Sequence, residues 1–146
     1  MASATISVII PLYNKEREIG DTVRSVLAQT LPPAEIVVVD DGSTDRSAEI
    51  VRGIRSPLVK LVTQPNAGEC AARNRAIAES TGDYIALLDA DDAWEPGFLA
   101  EIAAMIEEFP GCGIYCTGFS IVSHDGMFPA ESPTKRGIVE NFFRDS

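Results

Sequence analysis

The chain is poor in several residue types that would force a special chemistry or a special solvent. Its 146 residues include one histidine, one tryptophan and three cysteines. The lone histidine, His124, reads as a loop residue and leaves no convincing Ser-His-Asp triad. An odd number of cysteines makes no disulfide framework and points to a reducing compartment. Cys112 and Cys116 have no second pair and no nearby histidine, so they read as small buried apolar groups, and Cys70 as an apolar helix residue. Cations are scarce: 12 basic side chains face 22 acidic ones, a formal net charge of −10. Binding a nucleic-acid backbone needs a basic face, so no nucleic-acid partner is expected. A polyanion could bind only where a metal ion or a local cation intervenes. The longest apolar runs, such as Ile36–Val39 and Tyr84–Leu88, fall far short of a membrane span, which takes roughly 20 residues. The N-terminus has neither the basic start nor the apolar core of a signal peptide. The expected location is the cytoplasm, including the inner face of the membrane. No G-x-G-x-x-G follows the first apolar run, which disfavours a dinucleotide oxidoreductase.

What is present is an alternation. Hydrophobic residues make up 45% and charged residues 23%, as in an ordinary globular domain. Thr5–Leu12 and Ile36–Val39 are nearly continuous β-branched runs, the mark of strands buried on both faces of a parallel sheet. Leu58–Thr63, Tyr84–Leu88 and, more weakly, Gly113–Val122 read as further strands. Between them lie helical patterns. Lys15–Gln29 carries the stripe Ile19, Val23, Val26 and Leu27, with Asn14 as N-cap and Glu16 and Glu18 in the first turn. A second helix has the face Ser47, Ile50, Val51 and Ile54, capped by Ser43 or Thr44, with Asp45 in its first turn. Ala67–Ser80 is expected to face inward with Ala71, Asn74, Ile77 and Ala78, and to end at Gly82. A fourth helix opens at Pro96 and shows Phe98, Leu99, Ile102, Met105, Ile106 and Phe109. Beyond Asp125 the glycine and prolines suggest loop, then a short helix at Val139–Phe143. Strict alternation implies an α/β fold: a Rossmann-like, mostly parallel sheet flanked by helices, with ligands beyond the carboxyl ends of the strands.

Two strands end in acids, Asp40-Asp41 and Asp89-Ala90-Asp91-Asp92. If both ends share one sheet edge, five carboxylates converge and raise one another's pKa. A cation among them relieves this. All-oxygen ligands select a hard ion, Mg2+ or Mn2+.

Ile6-Ser7-Val8-Ile9-Ile10-Pro11-Leu12-Tyr13-Asn14, Ser25-Val26-Leu27-Ala28-Gln29-Thr30 and Val38-Val39-Asp40-Asp41-Gly42-Ser43-Thr44-Asp45 together resemble family 2 glycosyltransferases. So do Asn66-Ala67-Gly68, Ala72-Arg73-Asn74, Gly82-Asp83-Tyr84-Ile85 and Leu88-Asp89-Ala90-Asp91-Asp92, in that order. The resemblance implies a GT-A fold with residues 1–125 as the nucleotide-sugar-binding core and 126–146 as loop and the incomplete start of an acceptor-binding region. It implies a metal-dependent transferase that moves a sugar from a nucleotide-diphosphate sugar, a UDP-sugar, to an acceptor hydroxyl with inversion. It places Pro11 and Tyr13 in the first-strand loop, with Tyr13 on the nucleobase, Asp41 on the uracil imide, Lys15 by the diphosphate and Arg73 by the base or the diphosphate. Asp91 becomes the metal ligand, with Asp89 shared between metal and ribose. The acceptor would be a saccharide or a lipid-linked sugar. The family's general base lies on a later acidic motif, and neither Glu131 nor Glu140 has its surroundings. The acceptor half and the base are therefore expected to be absent from this chain, leaving apolar surface open to self-association and transfer weak or nil.

Individual residues also have plainer readings. Tyr13 can pack on a sheet edge, Arg73 can orient a carboxylate, and Trp94 can shape the acid loop. A phospho-receiver domain is the main rival, with an acidic metal pocket at strand ends. It needs a lysine after its last strand, and Lys15, Lys60 and Lys135 do not supply one. A sugar-phosphate nucleotidyltransferase would want a glycine-rich basic loop where Pro11-Leu12-Tyr13-Asn14-Lys15 stands.

Overall fold

The computed structural model describes residues 4–118, 120–123 and 126–129. The chain divides into two compact units, Met1–Ala100 and Glu101–Ser146. Its elements run β1 (Ile6–Leu12), α1 (Ile19–Leu27), β2 (Glu35–Asp40), α2 (Ser47–Gly53), β3 (Val59–Thr63), α3 (Glu69–Glu79), β4 (Tyr84–Leu87), α4 (Phe98–Glu108), β5 (Ser120–Ser123) and β6 (Gly126–Pro129).

The first four strands form one parallel sheet in the order β3-β2-β1-β4. This is the Rossmann-like order, in which the chain winds outward from β1 to β3 and then crosses back to pair β4 with β1. A receiver-type sheet would put its first strand beside the third, so the topology removes that rival. The reversal leaves a crevice at the carboxyl ends of β1 and β4. Right-handed crossovers in opposite directions put α1 and α2 on one face and α3 on the other.

Burial follows position in the sheet. Every residue of β1 is buried, as are five of six in β2, because both strands are central. The edge strands β3 and β4 are only partly covered, and Leu87 is 56% exposed. Continuous apolarity therefore meant full burial only for the two central strands. On one sheet face Ile9, Val37 and Val39 meet Ala72 and Ala76 of α3. Each large side chain enclosed there contributes roughly 1.5–3 kcal/mol.

Several expected details differ. The buried face of α3 is Ala72 and Ala76, while Ile77 is 45% exposed. Small side chains let this helix lie close to the sheet, and closeness outweighed the size of Ile77. Asn14 does not cap α1; the N-cap position is Glu18, and Asp21 is the first-turn acid. Neither Ser43 nor Thr44 caps α2, whose N-cap position is Arg46, although the Asp45 carboxylate accepts the Ser47 N–H at 2.9 Å. Gly82 lies beyond the α3 C-cap, Ser80. It is needed for closeness: a Cβ there would stand 2.6 Å from Ser7 Oγ, which its N–H approaches as donor.

In the second unit, residues 112–118 are not strand, and β5 pairs antiparallel with β6. Gly126–Pro129, expected as loop, is thus a hairpin arm. Cys116 and Cys70 are exposed and Cys112 half-buried, so the cysteines are not core residues. The expectations for His124, Glu131, Glu140 and Val139–Phe143 lie outside the described residues. Among those described, no helix is long and apolar enough to cross a membrane.

Candidate functional site

The crevice at the carboxyl ends of β1 and β4 holds a cleft of about 400 Å³. That lies within the range of small-ligand sites, roughly 300–1,000 Å³. Pro11 and Leu12 line it from the end of β1, Tyr13 and Lys15 from just beyond, Asp41 after β2, and Asp89, Ala90 and Asp91 after β4. Asn66, Gly68, Glu69 and Ala72, around the start of α3, close the remaining side. Of the seven residues assigned from sequence, all but Arg73 line the cleft, and Arg73 bonds to two that do. Leu12, Asn66, Gly68, Glu69, Ala72 and Ala90 were given no role; for Asn66 and Gly68 the Asn-Ala-Gly motif was the available signal.

Asp41 is 2% exposed, and its carboxylate organises the loop opposite. Oδ1 accepts Gln64 Nε2 at 2.8 Å and the Ala67 N–H at 2.9 Å, and Oδ2 accepts the Gly68 N–H at 2.8 Å. Burial alone would raise this carboxyl, but the three donors outweigh it and hold its pKa below the ordinary aspartate value. Oδ2 keeps a lone pair for one more donor. Gly42, at φ +73°, lets the same loop approach, since a Cβ there would lie 2.9 Å from the Asn66 nitrogen. This loop-holding role of Asp41 was not foreseen.

The acid loop is held from behind by α1. Thr22 Oγ1 donates to the Ala90 carbonyl at 2.9 Å, and Ser25 Oγ accepts the Trp94 N–H at 3.2 Å. Gln29 donates to the Glu95 carbonyl at 2.7 Å and accepts the Leu99 N–H at 2.9 Å. The Ser-Val-Leu-Ala-Gln-Thr motif thereby supports the site without lining it. Trp94 stacks on Phe98 with ring centroids 4.2 Å apart.

Three of the five acids, Asp41, Asp89 and Asp91, line the cleft, but they do not form one metal-holding cluster. Among the described residues no three His, Cys, Asp or Glu side chains gather to hold a metal ion. Asp40, Asp41, Asp89 and Asp91 each have partners of their own. Asp40 Oδ1 accepts the Ser43 N–H at 3.2 Å. Lys15 Nζ reaches Asp91 Oδ2 at 2.6 Å, and Arg73 Nη2 reaches Asp89 Oδ1 at 3.0 Å while also gripping Glu69. The Lys15 bond outweighs burial and lowers the Asp91 pKa, and the same bond raises that of Lys15. Mutual repulsion shows at Asp92, raised first by burial and then by the charges of Asp91 and Asp89. Two carboxylates are thus available to a hard cation, and both now carry a basic side chain.

Asp45 resembles Asp41 electrostatically: burial opposes its charge, and bonds from Ser47 and the Glu16 N–H prevail. Both folded-state values lie below the ordinary 3.8. The unfolded chain therefore binds more protons in acid, so this stability is present above pH 3.8 and lost as pH falls through the lowered folded values. Urea midpoints should fall between about pH 5 and pH 2, and the fall should shrink in Asp45→Asn. Equal pH profiles for parent and variant would remove Asp45 from this account.

Comparison with known proteins agrees with this geometry. Residues 7–141 match Glycosyl transferase family 2. An uncharacterized glycosyltransferase of Nostoc sp. is 40% identical over 112 residues, covering 75% of this chain and 35% of that protein. Crystal structures of S. aureus TarS residues 1–349 superpose with TM-score 0.67. The complex with UDP is 31% identical, covering 77% of this chain and 38% of that one. The complex with UDP-GlcNAc is 32% identical, covering 77% and 37%. The chain thus spans well under half the length of these relatives.

Proposed function

The chain belongs to glycosyl transferase family 2, and we propose that it forms the nucleotide-sugar site of a metal-dependent, inverting transferase with a UDP-sugar donor. The observation that carries this is the cleft at the β1/β4 crevice, where Tyr13, Lys15, Asp41, Asp89 and Asp91 meet. UDP and UDP-GlcNAc complexes of a relative with this fold support the choice of donor.

Tyr13, 47% exposed at the mouth of the cleft, offers a ring to the base. The free lone pair of Asp41 Oδ2 accepts the uracil imide N–H. Adenine carries no such proton. Lys15 and Arg73 turn from Asp91 and Asp89 to the diphosphate, exchanging carboxylate for phosphate oxygens of similar hardness. Asp91 and Asp89 would hold Mg2+ or Mn2+ by their oxygen chemistry, with phosphate and water oxygens as the further ligands such ions take. When bound, the ion would supply Lewis-acid stabilisation of the departing nucleotide. The acceptor, a saccharide or lipid-linked sugar, gives its hydroxyl proton to a carboxylate base that is assigned to none of the described residues.

Calorimetric titration with UDP and with ADP, each with manganese, tests the base assignment. UDP should bind at least tenfold tighter, the equivalent of about 1.4 kcal/mol. Equal affinities would remove Asp41 from the imide.

A further inference from the structure

Asn14 stands between two residues of the cleft wall, Tyr13 and Lys15, and is not itself part of that wall. It is the single non-glycine residue with positive φ, 51°, among those described. Such a backbone is uncommon for an L-residue, and asparagine is one of the few side chains that accept it. It persists where the surroundings over-determine it.

Here they do so by an interlock with the loop after β2. The Asn14 N–H donates to Ser43 Oγ at 3.0 Å, and Asn14 Oδ1 accepts the Thr44 N–H at 2.8 Å. The Lys15 N–H donates to Ser47 Oγ at 2.8 Å, and Ser47 is fully buried. The Glu16 N–H donates to Asp45 Oδ2 at 3.1 Å, and Glu16 Oε2 accepts the Arg46 N–H at 3.1 Å. Three consecutive residues of one loop are thus fastened to five consecutive residues after β2, four in the loop and Ser47 at the start of α2. The fastened residues bracket Lys15, whose long side chain must leave Asp91 and find a phosphate without its backbone wandering.

We propose that Asn14 is a positioning residue of the nucleotide site: its left-handed turn and its amide bond to Thr44 fix the backbone from which Tyr13 and Lys15 enter the cleft. This rests on the cleft's being the nucleotide site. A loop without the clasp would spend part of its time elsewhere, and apparent affinity falls by the competent fraction.

The test is UDP affinity with manganese for the parent, Asn14→Ala, Asn14→Gly and Asn14→Asp, with amide exchange of residues 13–16 in the ligand-free chains. Asn14→Ala loses both the left-handed preference and the acceptor, and should weaken UDP about tenfold while those amides exchange faster. Asn14→Gly keeps the turn alone and should fall between. Asn14→Asp keeps both and should restore affinity. In a double-mutant cycle, Asn14→Ala and Lys15→Ala should combine less than additively, since Asn14 acts through Lys15. A general loss of stability would produce neither the Asp rescue nor the coupling. If the parent binds UDP and Asn14→Ala binds equally well, or exchange is unchanged, the proposal is overturned alone. If the parent binds no UDP, the nucleotide reading fails first and takes the proposal with it.

Discussion

Asp41→Ala is expected to destabilise the chain by about 2–4 kcal/mol and to abolish UDP binding at ordinary concentrations. Hydrogen bonds to a charged group are worth roughly 1.5–3 kcal/mol each, and this carboxylate takes three while 2% exposed. Ala67 and Gly68 are themselves exposed, so water can reach their freed N–H groups and the loss stays well below the sum of the three bonds. Against a typical total of about 5–15 kcal/mol, the change is large. Asp41→Asn should be nearly as harmful. An amide presents a donor where one oxygen now accepts, so at least one N–H of Gln64, Ala67 or Gly68 would meet another N–H. Urea unfolding at constant slope reads the loss, and calorimetry reads UDP. An Asp41→Ala midpoint equal to the parent's would mean that the loop between β3 and α3 is held by other means.

Asp91→Asn separates binding from folding. Both members of the Lys15–Asp91 pair are substantially exposed, at 40% and 45%, and exposed pairs add little to stability. The variant should unfold close to the parent. Had the five acids converged, neutralising one of them would stabilise the ligand-free chain. The structure removes that gain, because Asp91 is paired with Lys15 and its ionised form is already favoured. Binding should respond differently. With manganese, UDP affinity should fall by a factor of ten to a hundred, since one of two carboxylates offered to the metal is gone. Without manganese, affinity should hold or rise, because Lys15 is released to the diphosphate with no carboxylate competing for it. Unchanged affinity with unchanged manganese dependence would show that the Asp89-Ala90-Asp91 loop holds no metal.

Much of this is legible in the sequence. Runs such as Ile36-Val37-Val38-Val39 declare buried strands because few other environments accept four β-branched residues in a row. The acids that follow them mark the carboxyl ends where ligands bind. Helix faces were less legible. In α3 hydrophobicity pointed to Ile77, whereas the sheet took Ala72 and Ala76, since close approach needs small side chains and a periodic scale rewards large ones. Helix starts were misread where a polar side chain bonded across the fold: Asn14 bonds to Thr44, thirty residues away, and caps nothing in α1.

Local pattern and motif order were enough for the fold class, the family resemblance and the cleft-lining residues Pro11, Tyr13, Lys15, Asp41, Asp89 and Asp91. How these residues are partnered depends on the folded sheet. The order β3-β2-β1-β4 brings Lys15 to Asp91 and Arg73 to Asp89, and it turns Asp41 toward the start of α3. Charges 76 and 16 residues apart in the chain attract only after the sheet has set their separation. In the acid loop Asp89 and Asp91 are therefore each balanced by a cation, while Asp92 carries the repulsion that remains.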